Sequence, residues 1–165
     1  MTEYLFFWGH RPLPDGRIGK PCLSQWWPAE FTLDGEVYPT AEHFMMVGKA
    51  RLFGDDQIAA KIFDAPTPDA AKSLGRKVKG FDDKLWTEHR YDIVVRGTEA
   101  KFSQNPQLHG YLVGTGNALI VEASPVDPIW GIGLAADSPD ARHPRRWRGL
   151  NLLGKALMEV RDRLR

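Results

Sequence analysis

In Pro39-Thr40-Ala41-Glu42-His43-Phe44-Met45-Met46-Val47-Gly48-Lys49-Ala50-Arg51-Leu52, apolar side chains recur in nearly every direction around a helical wheel. Thr40 follows a proline and carries a hydroxyl that can accept from a first-turn amide, so a helix is expected over Ala41 to about Leu52. A helix that is apolar all round is normally a buried one. This one nevertheless contains Glu42 and Lys49, and buried charges are costly unless they are paired or meet a ligand.

Outward from this helix, the flanking sequence alternates strand and helix signals. Tyr4 to Trp8 and Glu30 to Tyr38 read as short strands, the second broken by Asp34-Gly35, a hairpin turn signal. A second helix is expected from Asp56 to Asp64. A third opens with Thr67 as cap, Pro68 at the first helical position and Asp69 in the first turn. Asp83 to about Gln104 has Trp86, Ile93, Val94, Gly97 and Ala100 at helical spacing. Asn105-Pro106 starts a shorter helix that Gly114 and Gly116 end, and Ala118 to Ala123 reads as a strand. Ser124 to Gly149 is irregular, and Asn151 is expected to cap a final helix with Leu152, Leu153, Ala156, Leu157, Val160 and Leu164 on one stripe. The expected class is α+β, mainly helical, with about six helices around a small β-sheet in one domain over residues 1–165.

At 165 residues, 42% hydrophobic and 26% charged, the chain can build a core without metals or disulfides. A net charge of +1 supplies no global attraction for nucleic acid or membranes. The local excess, Arg142, Arg145, Arg146 and Arg148, is either a solvated loop or a phosphate-contacting patch. The single Cys22 excludes an internal disulfide and suits a reducing compartment; with no leader pattern at Met1-Thr2-Glu3-Tyr4 and no membrane-length apolar run, a cytoplasmic location is expected. No Cys-x-x-Cys, His-Glu-x-x-His, P-loop, Gly-x-Ser-x-Gly or Gly-x-Gly-x-x-Gly pattern is present, and the five His show no ligand spacing. No metal or cofactor is expected.

Two places stand out as chemical candidates. Glu42 and Lys49 are seven positions apart on one helical face, with Cα atoms roughly 10 Å apart along the axis. Side chains lean toward the helix N-terminus, so Lys49 reaches toward Glu42. Either the two heads flank a sugar-sized ligand, or Glu42 complements the helix dipole while Lys49 extends to solvent. The second place is Asp127-Pro128-Ile129-Trp130-Gly131-Ile132-Gly133, after the last strand. A carboxylate, a Trp and two Gly there form either a pocket wall or a simple Asp-Pro turn with Trp130 capping the core. Gly48, Gly75, Gly97 and Gly154, all inside expected helices, point to close packing of helices.

Several segments together resemble the YbiA-like, or NADAR, superfamily. They are Pro39 to Phe44 with Lys49-Ala50, Ala71-Lys72-Ser73-Leu74-Gly75-Arg76, Lys101-Phe102-Ser103-Gln104-Asn105-Pro106, Glu122-Ala123-Ser124, Asp127 to Gly133, and Trp147-Arg148-Gly149-Leu150-Asn151-Leu152-Leu153-Gly154. They lie in register from about Leu23 to Arg161, although Cys22-Leu23-Ser24-Gln25-Trp26-Trp27 replaces the family's Leu-Ser-Asn-Phe-type segment. The resemblance implies a mainly helical fold and cleavage of N-glycosidic bonds on ribose phosphates. Family substrates include phosphoribosylamino-pyrimidine intermediates of riboflavin synthesis, and ADP-ribose on the amino group of guanine in nucleic acid. A non-catalytic NAD- or ADP-ribose-binding module is the alternative. For such substrates Glu42 is the first choice of carboxylate and Asp127 the second, and Lys49 offers a Schiff-base route. Trp86, Trp130 and Gly131 are expected to shape the sugar or base pocket. Lys72, Arg76, Arg148 and Asn151 are expected to hold phosphate.

Overall fold

The structure, a computed structural model, describes residues 1–165. It contains four strands, β1 (Tyr4–Phe7), β2 (Phe31–Leu33), β3 (Glu36–Tyr38) and β4 (Leu119–Glu122). Six α-helices accompany them: α1 (Ala41–Leu52), α2 (Asp56–Phe63), α3 (Pro68–Gly75), α4 (Asp83–Gln104), α5 (Pro106–Gly114) and α6 (Leu152–Leu164). The α+β, mainly helical class is therefore what the structure has. The strands form two separate pairs rather than one sheet, β1 parallel to β4 and β2 antiparallel to β3. Two short 3-10 turns, Lys20–Leu23 and Pro144–Arg146, were not expected from the sequence. Each opens with proline at its first or second position and is too short to carry a periodic signal.

The chain divides into two compact units, Met1–Ser24 with Pro106–Arg165, and Gln25–Asn105. In the second, β2 and β3 join through Asp34 (φ 52°) and Gly35 (φ 79°). Both residues are left-handed, as a two-residue hairpin turn matching the strand twist requires. Phe31 stacks on Tyr38 at 5.6 Å between ring centroids, Tyr38 meets Phe44 edge-on at 5.0 Å, and Phe63 lies 5.2 Å from Tyr38. This aromatic group receives α1, which also packs against α2, α3 and α4. The three-sided packing explains why Ala41 to Val47 are all buried. Thr40 caps α1 as expected, its hydroxyl accepting from the His43 amide at 3.1 Å.

In the first unit, Val121, Ile132, Leu134 and Ala141 form a core, with Tyr4, Phe6, Leu119 and Trp147 packed on it. α6 lies against β4 and α5. Asn151 is the N-cap residue of α6 by position, but its side chain makes no cap hydrogen bond. Its backbone is left-handed (φ 52°), which turns the amide away from the helix. The side chain instead bridges β4, donating to the Ile120 carbonyl at 3.0 Å and accepting from the Glu122 amide at 3.0 Å. The expected side-chain cap is corrected in this way, and the first amides of α6 are satisfied by loop carbonyls. Leu152 donates to Ile129 and Leu153 to Trp130.

His43 is buried, with one ring nitrogen 2.7 Å from the Thr40 hydroxyl and the other 3.0 Å from the Ala65 carbonyl. Burial holds its pKa below the ordinary 6.5, and the Ala65 bond only partly opposes this. The unfolded chain therefore takes up a proton before the folded one does, so the stability this group permits is complete above about pH 6.5 and is lost as pH falls toward the folded pKa. Thermal melts across pH 7.5 to 5 are expected to show a falling Tm, with a shallower slope in His43→Asn. An unchanged slope in that variant would assign the pH dependence elsewhere.

Candidate active site

The second unit gathers Glu42, Lys49, Arg76 and Trp86, four of the residues singled out from the sequence. Glu42 is 3% exposed, on the first turn of α1. The solvated dipole-complementing role is therefore not its environment. Lys49, two helical turns on, is half-buried. Its Nζ lies 4.9 Å from the ring centroid of Phe81 and 5.8 Å from that of Trp86. Burial pushes the Lys49 pKa down; the Glu42 carboxylate pulls it up, and the Arg76 guanidinium pushes it down again. The arrangement is a desolvated amine whose charge is tuned by one anion and one cation, the condition under which lysine becomes a nucleophile or proton carrier.

Arg76 is the C-cap residue of α3 and is exposed, as is Lys72 one turn earlier. Both sit at the C-terminal end of that helix, where the dipole favours cations. Lys72 Nζ is 5.8 Å from the Trp26 ring centroid. Trp86 is only 9% exposed, with Lys49 over its ring. Phe81, for which the sequence suggested no role, stands beside the same ammonium. Lys101, inside one of the quoted motifs, is completely buried, with Nζ 5.0 Å from the Phe102 ring centroid. Burial of a lysine in the last turn of a 22-residue helix has no local sequence signal, because it depends on which helix face the rest of the chain covers.

The first unit gathers Asp127, Trp130, Gly131, Arg148 and Asn151 into one hydrogen-bonded loop. The Asp127 Oδ1 accepts from the Ile129 and Trp130 amides, each at 2.9 Å, which is the turn geometry of Asp-Pro. Gly131 is buried where a Cβ would meet the Glu122 carbonyl at 2.9 Å and the Asp127 carbonyl at 3.0 Å. The Gly131 carbonyl accepts from the Asn151 amide, and the Ile132 carbonyl from the Arg148 amide at 2.9 Å. Arg148 leaves its side chain exposed, and Trp130 is half-buried. Asn151 is 1% exposed, with its side-chain amide hydrogen-bonded to β4 through both its nitrogen and its oxygen. A separate depression of about 560 Å³ in this unit is lined by Glu3, Leu5, Tyr111, Thr115, Asn117 and Ala118 among others, none of them a predicted site residue. No group of His, Cys, Asp and Glu is arranged to hold a metal ion. No helix is long and apolar enough to cross a membrane.

Comparison with known proteins identifies the family. A family model described as the NADAR domain matches residues 6–165. The N-glycosidase R617 of Acanthamoeba polyphaga mimivirus is 44% identical over 165 residues, covering 97% of this chain and 95% of that protein. The N-glycosidase YbiA of Escherichia coli K12 is 30% identical over 138 residues, covering 84% of this chain and 76% of that protein. The NMR structure of the E. coli protein YbiA superposes with a TM-score of 0.76 at 26% identity, covering 99% of this chain and 86% of that one. The chloroplastic riboflavin biosynthesis protein PYRR of Zea mays is 33% identical over 135 residues, a fifth of its own length (20%). Matched nearly end to end by that model and by relatives that are N-glycosidases, the chain belongs to the NADAR family, as a hydrolase of N-glycosyl bonds.

Proposed function

We propose that this N-glycosidase cleaves the bond between a phosphorylated ribose, as ribose phosphate or as ADP-ribose, and an amine or base nitrogen. The observation that carries the reading is the half-buried Lys49 amine, held among Phe81, Trp86 and the field of buried Glu42. Breaking a riboside builds positive charge on C1 and the ring oxygen, and a desolvated carboxylate stabilises that charge far better than water does. Glu42 takes this role. Asp127, with one oxygen committed to its turn, is the second choice.

Lys49 adds a covalent route where the base hangs on an exocyclic amine. Ring opening gives an imine at C1; the neutral Lys49 amine adds to C1, and the base amine departs with a proton. Water then hydrolyses the Lys49 imine, releasing the sugar aldehyde and restoring the free amine. Lys72 and Arg76, exposed at the end of α3, are the candidates to meet phosphate, and Arg148 is a further exposed cation. Two substrates fit: a phosphoribosylamino-pyrimidine, in keeping with the riboflavin-named relatives, and guanine carrying ADP-ribose in nucleic acid.

A matched hydrolysis assay tests the proposal by offering both substrates to the protein and to Glu42→Gln and Lys49→Ala. Release of ADP-ribose from a modified oligonucleotide, lost in both variants, assigns a nucleic-acid substrate. Cleavage of the pyrimidine alone assigns a free metabolite, and cleavage of neither overturns the reading in favour of an ADP-ribose-binding module. Borohydride reduction during turnover should trap the sugar on Lys49; absence of any adduct leaves direct hydrolysis as the route.

The charge pattern also fixes a pH response. A nucleophilic Lys49 must be neutral, so kcat/KM rises with pH through its pKa, below the ordinary lysine value of 10.5. Arg76→Ala removes a cation that holds this pKa down, and the rising limb is expected to move to higher pH. The move should shrink in high salt, because Arg76 is exposed. A limb that stays in place would remove Lys49 from the titrating step.

A further inference from the structure

We infer that Phe81 is the specificity residue of this site, the aromatic surface on which the planar leaving group lies beside Lys49. The inference rests on the N-glycosidase reading above and adds the residue that recognises the base side of the substrate. Stacking needs an open ring surface. Trp86, one of the two tryptophans expected from the sequence to serve and the one beside Lys49, is 9% exposed and has no such surface, whereas Phe81 is 46% exposed.

A single exposed Phe is ordinary on a protein surface and would mean little alone. This one is held at a defined place. Before it, Val78 is buried and the Lys79 amide donates to Asp55 Oδ2 at 2.9 Å. Gly80 is left-handed (φ 78°) and turns the chain outward. After it, Asp82 caps α4 by accepting from the Leu85 amide at 3.2 Å. The ring packs against Phe53 at 5.4 Å, tilted by 53°, and stands 4.9 Å from Lys49 Nζ. Phe81 is therefore an anchored aromatic ring with open surface, adjoining the amine proposed to attack C1. The heterocycle attached to C1 must lie within a few ångströms of that amine, and Phe81 is the nearest ring with open surface to receive it.

The test compares Phe81→Leu, which keeps apolar bulk without a π face, with Phe81→Tyr, which keeps both. Phe81→Leu is expected to raise KM by about tenfold with a smaller change in kcat, and Phe81→Tyr to stay within about twofold of the parent, from the usual worth of one base–aromatic stack. In binding titrations with the separated products, the affinity for the free aminopyrimidine or guanine should fall by the same factor in Phe81→Leu. Affinity for ribose 5-phosphate should not change. Equal weakening of both products, or a Phe81→Leu variant with parental KM, overturns the inference. If the parent protein cleaves neither substrate, the functional reading fails separately. The heterocycle titration then still decides the Phe81 assignment, which stands if parental binding is lost in Phe81→Leu and falls otherwise.

Discussion

Glu42→Gln is expected to lower kcat by roughly 100- to 10,000-fold while the protein stays folded, the range found when a positioned acid–base carboxylate is lost. The substitution keeps the shape of the side chain and removes its charge. Little stability is expected to go with it, because an amide is cheaper to bury than a carboxylate and Glu42 is 3% exposed. The same change carries a second signature. Glu42 holds the Lys49 pKa up against burial and Arg76, so the residual activity should show its rising pH limb displaced to lower pH, opposite to Arg76→Ala. Steady-state kinetics across pH, with a melting curve for each variant, check both points. Normal turnover in Glu42→Gln would remove the carboxylate from the mechanism. A low kcat with an unmoved limb would separate Glu42 from Lys49.

The largest effect on folding is expected at Gly154. A Cβ there would lie 2.2 Å from the Ile120 carbonyl oxygen and 2.4 Å from the Asn151 amide nitrogen. Neither neighbour can yield cheaply. Ile120 is in the middle of β4, and the Asn151 side chain is the bridge that holds β4 to the start of α6. Gly154→Ala is therefore expected to cost about 3 kcal/mol, the upper part of the usual range for overpacking a core. A useful contrast is Gly75→Ala. There the Cβ would meet the Met46 sulfur at 2.0 Å, but a thioether at the end of a flexible side chain can swing aside. That variant should lose about 1 kcal/mol or less. Urea unfolding of the pair measures the difference directly, and equal losses would mean that the strand does yield at Ile120.

Much of the fold is legible along the chain because its signals are local. Thr40, Thr67 and Asp34-Gly35 act on amides and dihedrals within three residues of themselves, so α1, α3 and the hairpin fall where the sequence placed them. The 22-residue α4 was legible for the same reason, its length giving periodicity room to show. The crowding at Gly48, Gly75, Gly97 and Gly154 was foreshadowed by the cost of glycine in a helix, though not what each would touch. The pairing of β1 with β4 was not legible, since it joins Tyr4 to Leu119 across more than a hundred residues and depends on which edges meet.

The site divides along the same line. The sequence by itself set Glu42 and Lys49 on one face of a helix with little polar surface, because helical spacing is a property of the backbone. Only the tertiary structure decided that Glu42 is buried and that two aromatic rings stand over the Lys49 ammonium, since both facts depend on α3, α4 and the loop between them closing around α1. It also decided that Asp127 spends an oxygen on its own turn, that Asn151 faces β4 rather than its helix, and that Trp86 is covered while Phe81 is open. Residue type tells what a side chain can do. Burial, desolvation and hydrogen-bond partners decide which of those things it does, and they come from segments distant in sequence.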